Sequence, residues 1–337
     1  MHCNLDHLEE YIDMHYNRLY STMNKDKPEN NKKSKGNLTP NSKRPHADSL
    51  TSTGAVPETE NKTSHNISLL LSEDKQKLLT AVNDFKPENP EVATLRILLH
   101  GPQGAGKSSF FNSVDSVFQG RITTRALAQA TETDRTFTVE CKTYKVKKDR
   151  PDSYFPFNFT DIAGMHKVEG IKMDDIIKLL NGHINSGYHF NPFKPICEDD
   201  PKYNKNPTLN DRIHCLVAVL PAHNVSIMDD DIFMQMRQAR EKARDLGIPQ
   251  VIIMTKIDES CELVKNDLKM TYKSKKVKQK MEECSAKTGI PMSCIYPVKN
   301  YHEERTNDDT VDILILDALQ NIIHFADDYI KDQIDSE

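Results

Sequence analysis

Short apolar runs alternate along this chain with longer segments of helical periodicity. The runs consist mostly of large aliphatic, aromatic and β-branched residues, which is typical of strands buried in a parallel sheet. They lie at 95–100, 155–160, 213–220, 251–254 and 294–298. Residues 136–146 alternate between polar and apolar instead, and this alternation predicts a half-exposed strand.

Between and beyond these runs, apolar residues recur at intervals of three and four, which predicts amphipathic helices. The predicted helices lie at 4–23, from Ser72 to the residue before Lys86, from about 109, and at 174–183, 230–246 and 311–330. Strands that alternate with helices indicate an α/β fold, with a doubly wound, mostly parallel sheet whose functional edge is at the strand carboxyl ends.

The N-terminal part of the chain differs from the rest. Residues 25–66 contain Asn, Lys, Ser, Thr and Pro with few large apolar side chains, so burial there cannot offset the entropy of ordering. We therefore predict a short amphipathic helix over 1–24, a disordered linker over 25–66, and one α/β domain over 67–332.

Composition limits the classes of partner and the cellular compartment that we expect for this chain. The chain has 337 residues, 37% of them hydrophobic and 28% charged, with a net charge of −5, so nothing global indicates a nucleic-acid partner. The 7 cysteines form no C-x-x-C pair, which favours free thiols in a reducing compartment. We find neither a signal peptide nor a membrane-spanning run, and we predict a cytoplasmic protein without a stable membrane anchor.

The first chemical motif follows the run at 95–100. Residues 101–108 read Gly-Pro-Gln-Gly-Ala-Gly-Lys-Ser, which matches the phosphate-loop pattern G-x-x-x-x-G-K-[ST], and a helical segment comes next. Such a loop turns its backbone N–H groups toward phosphate, and the helix N-terminus adds partial positive charge. The predicted phosphate-binding residues are Gly101, Gln103, Gly104, Ala105, Gly106, Lys107, Ser108 and Ser109.

A second motif, Asp161-Ile-Ala-Gly164, ends the run at 155–160. An Asp at a strand end, about 60 residues after the loop, suits a carboxylate behind Mg²⁺, and the Gly164 N–H suits the γ-phosphate. Ser108 and Asp161 are thus the predicted metal residues. A switch threonine should join them, and of Thr123, Thr124, Thr131, Thr133 and Thr136 we favour Thr131 or Thr133.

The third motif, Thr255-Lys256-Ile-Asp258, follows the run at 251–254. A carboxylate at Asp258 accepts from both N1–H and the exocyclic amine of guanine, a donor pair that adenine lacks. The Lys256 stem would pack on the ring, and Lys299, after the next strand, would close over the base edge. The pattern predicts GTP or GDP with Mg²⁺ as the ligands.

The sequence does not provide the glutamine that orients the attacking water for GTP hydrolysis in many GTPases. Met165 follows Gly164 where many GTPases have a water-orienting glutamine, and a thioether cannot polarise water. Hydrolysis must then be slow, depend on a partner, or use another group such as His166.

We interpret the lysine-rich stretch 269–280 as one solvated helix face, with an acidic partner as the alternative, and Asp229–Asp231 as a helix cap.

Several stretches together are similar to the interferon-induced protein 44 family. They are the segments at 96–114, 174–184, 211–215 and 298–301, within a resemblance that covers roughly residues 70–330. The resemblance implies a cytoplasmic, interferon-inducible protein of innate antiviral defence, with a P-loop G domain related to dynamin-like GTPases. Residues 1–66 are not part of it.

These observations give one leading function and two alternatives. The leading interpretation is a cytosolic GTP-binding protein that works as a switch or assembly unit, with slow or partner-dependent hydrolysis. The alternatives are a non-hydrolysing GTP-binding scaffold and a P-loop ATPase or kinase. Self-assembly or a protein partner is expected, and no nucleic acid.

Overall fold

The computed structural model describes residues 72–126, 140–148, 150, 152–162, 164 and 171–334. The predicted helix at 1–24 and the predicted linker at 25–66 therefore lie outside the described residues. The strands are β1 (Leu95–His100), β2 (Glu140–Lys147), β3 (Tyr154–Asp161), β4 (Tyr188–His189), β5 (Cys215–Pro221), β6 (Gln250–Thr255) and β7 (Ile295–Pro297). The α-helices are α1 (72–84), α2 (Lys107–Gln119), α3 (Met173–Leu180), α4 (Asp230–Asp245), α5 (Ile257–Ser260), α6 (Glu262–Asn266), α7 (Lys275–Thr288) and α8 (Asp309–Ile334). Short 3-10 helices lie at Leu209–Asp211, Leu268–Lys273 and Met292–Cys294.

Within the described residues, the strands form one 7-stranded sheet in the order β4-β2-β3-β1-β5-β6-β7. β1 pairs in parallel with β3 and β5, and β6 continues the parallel array to β7, whereas β2 runs antiparallel to β3 and β4. The chain leaves β1 toward β3 and later returns to the other side of β1 at β5. This arrangement confirms the doubly wound, mostly parallel α/β sheet. The side on which successive strands are added changes at β1, so the crevice typical of such sheets lies at the carboxyl end of β1.

Helices cover both faces of the sheet. α2 and α8 pack on one face, where α8 contacts β1, β5 and β7, while α4 and α7 cover the other face. Helix α1 lies against α8, where the Lys75 ammonium group is 2.8 Å from Asp309 and 2.7 Å from the buried Asp312 carboxylate. No helix in the described part of the chain is both long enough and apolar enough to cross a membrane.

Aromatic packing fixes α2 on the sheet. Phe110 and Phe111 of α2 are fully buried, and their rings lie 6.1 and 6.0 Å from the ring of Phe159 in β3. Phe157 adds an edge-to-face contact to Phe159 at 6.2 Å. Each such buried ring contributes about 1.5–3 kcal/mol through area alone. These ring contacts therefore fix the position of the start of α2 relative to the end of β3.

Some predicted element boundaries were wrong for local reasons. Helix α3 ends at Leu180 rather than His183, because Gly182 adopts φ +85° and the His183 N–H returns to the Lys178 carbonyl at 2.9 Å. Helix α8 begins at Asp309 rather than 311, because the Asp308 carboxylate accepts the N–H groups of Thr310 and Val311.

The interpretation of 269–280 as one helix face was also wrong. Lys269 and Lys273 belong to the 3-10 helix Leu268–Lys273, whereas the remaining lysines belong to α7. Ser274 separates the two elements, since its hydroxyl accepts from the Val277 N–H at 3.2 Å and caps α7. The predicted cap before α4 is confirmed, because the Asp229 carboxylate accepts from the Asp231 N–H at 3.0 Å.

His214 makes the fold sensitive to acid. Its Nδ1 accepts from the Arg96 N–H at 3.0 Å, so Nε2 carries the proton and donates to the Leu209 carbonyl at 2.8 Å. Burial lowers the pKa of His214 to about 4. Between about 6.5 and 4, the unfolded chain binds a proton that the folded chain does not, so stability falls by up to about 1.4 kcal/mol per pH unit as pH decreases.

We expect His214→Gln to be less stable than the wild type at pH 7 and to lose stability less steeply between pH 6.5 and 4. Urea unfolding at half-unit pH intervals measures both quantities. The matched control is His302→Gln at an exposed position, which should keep the wild-type slope. An unchanged slope in His214→Gln contradicts the assignment.

Candidate functional site

The predicted phosphate loop lies between β1 and α2, at the carboxyl edge of the sheet. Gly101, Gly104 and Gly106 adopt φ of +137°, +72° and +95°, values that side chains other than glycine rarely tolerate. A Cβ on Gly101 would lie 2.3 Å from the Val219 carbonyl oxygen of β5, so this residue must also be glycine for lack of space. No side chain caps α2 at Gly106, which leaves the start of a 13-residue helix suited to an anion.

Lys107 is buried inside this loop. Its ammonium group donates to the carbonyl oxygens of Gly101 and Pro102, both at 3.1 Å. Burial lowers the pKa of Lys107, and the nearby Asp161 carboxylate opposes that shift. The side chain thus holds its own loop together while its charge stays close to where the motif places phosphate.

Ser108 and Asp161, the predicted metal residues, are in direct contact. The Ser108 hydroxyl donates to Asp161 Oδ2 at 2.6 Å, and the pairing of Leu99 with Asp161 brings the end of β3 beside β1. Burial raises the pKa of Asp161, whereas Lys107 and Ser108 lower it. Its Oδ1 is buried without a hydrogen-bond partner among the described residues. A hydroxyl and an unsatisfied carboxylate oxygen side by side fit a hard cation such as Mg²⁺.

Gly164 contacts the phosphate loop directly. A Cβ at this position would lie 2.4 Å from both the Cα and the backbone N of Gln103. Since no real side chain tolerates such distances, the backbone approaches the loop this closely only with glycine. Thr131, Thr133, Met165 and His166 lie outside the described residues, so their predicted roles stay predictions.

The predicted base motif is joined to the phosphate loop through Thr255. This residue ends β6, is fully buried, and its hydroxyl donates to the Ala105 carbonyl at 2.6 Å. Lys256 adopts the left-handed conformation at φ 57°, which turns the chain into the short helix α5. Asp258 lies on that helix, half-buried, and among the described residues its side chain makes no hydrogen bond or ion pair.

Glu259 lies on the exposed side of the same turn and contacts two basic side chains. Its carboxylate lies 3.9 Å from the Lys256 ammonium group and 3.2 Å from His223 Nδ1. The Lys256–Glu259 pair is a weak, partly exposed ion pair that contributes at most about 1 kcal/mol. The loop after β5 is held to the base motif by the backbone, where the Ala222 N–H donates to the Thr255 carbonyl at 2.8 Å.

The loop after β7 makes contacts around the site that the sequence did not predict. Lys299, the predicted base contact, pairs with Glu304 at 2.6 Å. Asn300 donates its side-chain amide to the Gly106 carbonyl at 3.1 Å, and the Tyr301 N–H donates to Ser113 Oγ of α2 at 2.9 Å. Nothing in the spacing marks Asn300 or Glu304, because their partners lie far away in the chain.

Comparison with known proteins supplies relatives. No family model matches this chain. It is 36% identical over 259 residues to interferon-induced protein 44 from Pan troglodytes and from Homo sapiens, and 34% identical over 262 residues to interferon-induced protein 44-like from Homo sapiens. Each alignment covers 77% of this chain but 58% of the relative, so the chain spans less than two thirds of these curated relatives.

Two solved structures have a related but distant arrangement. A probable GTP-binding protein engB is 13% identical, with 69% of this chain and 98% of that chain covered and a TM-score of 0.37. A GTP-binding protein from Sulfolobus solfataricus in complex with GDP is 14% identical, with 81% and 61% covered and a TM-score of 0.34. At such low scores, neither likeness bears on the site of this chain.

Thr255→Val tests the link between the two halves of the site. The substitution keeps the side-chain shape but leaves the buried Ala105 carbonyl without this donor, which should lower the free energy of unfolding by about 1–3 kcal/mol. We also expect inorganic phosphate and nucleotides to bind more weakly, because the loop is no longer held in place. Urea unfolding and nucleotide titration measure the two effects. Thr255→Ser, which retains the hydroxyl, is the control and should stay closer to the wild type in both.

Proposed function

This chain belongs to the interferon-induced protein 44 family, and we propose that it binds guanine nucleotides at the edge formed by the phosphate loop, Asp161 and the Thr255–Asp258 segment. The contact that carries the proposal is the 2.6 Å hydrogen bond from Thr255 to Ala105. It sets the base motif and the phosphate motif side by side, as one nucleotide that binds both would require. Without this contact, nothing would indicate that two motifs so far apart in the chain belong to one site.

The phosphate half needs little rearrangement in this proposal. Lys107 exchanges its bonds to the Gly101 and Pro102 carbonyls for the β- and γ-phosphates, so a buried ammonium group is never left unpaired. Ser108 and Asp161 would hold Mg²⁺, which offsets the negative charge of the phosphates when bound. Gly164, whose backbone lies against Gln103, would donate its N–H to the γ-phosphate.

Asp258 gives the proposal its base preference. Asp258 is a half-buried carboxylate with no hydrogen bond or ion pair to the described residues, so both of its oxygens are available to accept from a pair of donors. Guanine presents such a pair in N1–H and the exocyclic amine, and adenine does not. Because of this difference, we favour a guanine-nucleotide-binding protein over a P-loop ATPase or kinase.

The names of the relatives suggest a cellular setting. Proteins named interferon-induced share more than a third of their aligned residues with this chain, which supports an interferon-induced protein. We propose that it acts in cytoplasmic antiviral defence. Met165 supports slow or partner-dependent hydrolysis, so the bound state would persist and serve as a switch or a unit of assembly.

Asp258→Asn tests the base preference through a gain as well as a loss. We expect GDP affinity to fall by roughly 10²-fold, because the amide offers one acceptor in place of two. Xanthosine diphosphate, which presents one donor and one acceptor, should bind more tightly than to the wild type. Titration with labelled nucleotides measures both, and the gain proves that the variant is folded. A wild-type preference for ADP, or equal GDP binding by both proteins, contradicts the proposal.

Lys107→Ala tests turnover. We expect wild-type phosphate release from GTP to be slow yet above that of the variant, which lacks the charge on the phosphates. Multiple-turnover assays with Mg²⁺ measure the rate, and sedimentation with GTP or GDP shows whether assembly follows the nucleotide. Equal rates in the two proteins together with tight GTP binding would favour the non-hydrolysing scaffold.

A further inference from the structure

The loop after β7 is fixed at three points around the candidate site. The Val298 N–H donates to the Met254 carbonyl at 2.8 Å, which holds the start of the loop to the end of β6. The bonds from Asn300 to Gly106 and from Tyr301 to Ser113 hold its middle to the phosphate loop and to α2. Lys299 lies between the first two anchors, so its Cα has little freedom to move.

Glu304 determines where the ammonium group of Lys299 lies. One carboxylate oxygen of Glu304 is 2.6 Å from Lys299 Nζ, and the other accepts the N–H groups of His302 at 2.8 Å and Glu303 at 3.1 Å. Although burial opposes the shift, the His302 N–H and Lys299 lower the pKa of Glu304 to about 2. Glu304 is therefore charged at neutral pH and locked in one orientation.

Asp258 is a second carboxylate near the same ammonium group. The Val298–Met254 bond holds the residue before Lys299 against the end of β6, the strand that leads into Asp258. Burial lowers the pKa of Lys299, whereas Glu304 and then the charges of Asp258 and Asp308 raise it above its ordinary value. The ion pair forms with Glu304, and no ion pair between Lys299 and Asp258 occurs within the described residues. An ammonium group on Asp258 would occupy an oxygen that guanine requires.

We propose that Glu304 is a positioning residue for base recognition, which draws Lys299 away from Asp258 and leaves both oxygens of Asp258 available to the base. The inference rests on the proposed function and deepens it, since it names a residue outside the nucleotide motifs that sets their specificity. Lys299 then contributes its apolar stem to the base edge, while its charge is neutralised by Glu304.

Glu304→Gln separates this role from a structural one. The amide oxygen of Gln still accepts the two backbone N–H groups, so the loop keeps its shape, while the charge and the acceptor that face Lys299 are replaced by an NH₂ group. Lys299 should then move to Asp258, and GDP affinity should fall by about tenfold. Inosine diphosphate lacks the exocyclic amine and needs one oxygen of Asp258, so its affinity should fall less. The ratio of GDP to inosine diphosphate affinity should therefore decrease toward one.

Two further variants complete the test. Glu303→Gln, at the neighbouring exposed position, is the matched control and should keep the wild-type affinities and ratio. In Lys299→Met combined with Glu304→Gln, no ammonium group remains to occupy Asp258, so the GDP to inosine diphosphate ratio should recover toward the wild type. Inosine diphosphate binding by the Glu304→Gln protein shows that this variant is folded, so a loss that falls mainly on GDP reports the role of Glu304.

All affinities are measured on the full chain by competition with labelled GDP. A ratio in Glu304→Gln equal to that in Glu303→Gln overturns the inference, and so does a double variant that recovers nothing. Either result would leave a wild-type preference for GDP over ADP intact, so the proposed function would survive. A wild type without that preference contradicts the proposed function itself.

Discussion

The site depends on how the backbone carbonyl groups of residues 101–106 are held. A loop that turns its N–H groups toward an anion must direct carbonyl groups elsewhere, and buried carbonyls need donors. Thr255 supplies one to Ala105, Asn300 supplies one to Gly106, and Lys107 covers the first two carbonyls of the loop. Donors from β6 and from the loop after β7 therefore shape a site whose motif lies elsewhere in the chain.

Charge is arranged differently in the two halves of the site. At the phosphate end, Lys107 and Asp161 are both buried, and each stabilises the charge of the other against the cost of desolvation. At the base end, Asp258, Lys299 and Glu304 are half-buried, and in our proposal Glu304 draws Lys299 away from Asp258. The first arrangement suits a ligand of fixed high charge, and the second suits discrimination between neutral rings.

Much of the fold could be predicted from the chain, and less of the site. The alternation of apolar runs and amphipathic segments predicted the doubly wound sheet because burial on both faces imposes that pattern on strands. Helix ends were missed where a turn residue decided them: Gly182 ends α3 and Ser274 divides the lysine-rich stretch, so short-range capping overrode a longer periodicity. The phosphate-loop, Asp161 and Asp258 motifs were readable because their chemistry lies in consecutive residues.

The sequence by itself determined the chemical groups at each strand end and their order: a phosphate loop, then Asp161, then Thr255 to Asp258. Only the tertiary structure decided which of these groups meet. Leu99 pairs with Asp161 in register, and Thr255 reaches Ala105 across a sequence separation of 150 residues. Such contacts depend on strand order and register, which are set by packing of the whole sheet. Periodicity and motif spacing report only on neighbours along the chain, and for that reason Asn300 and Glu304 emerged from the structure alone.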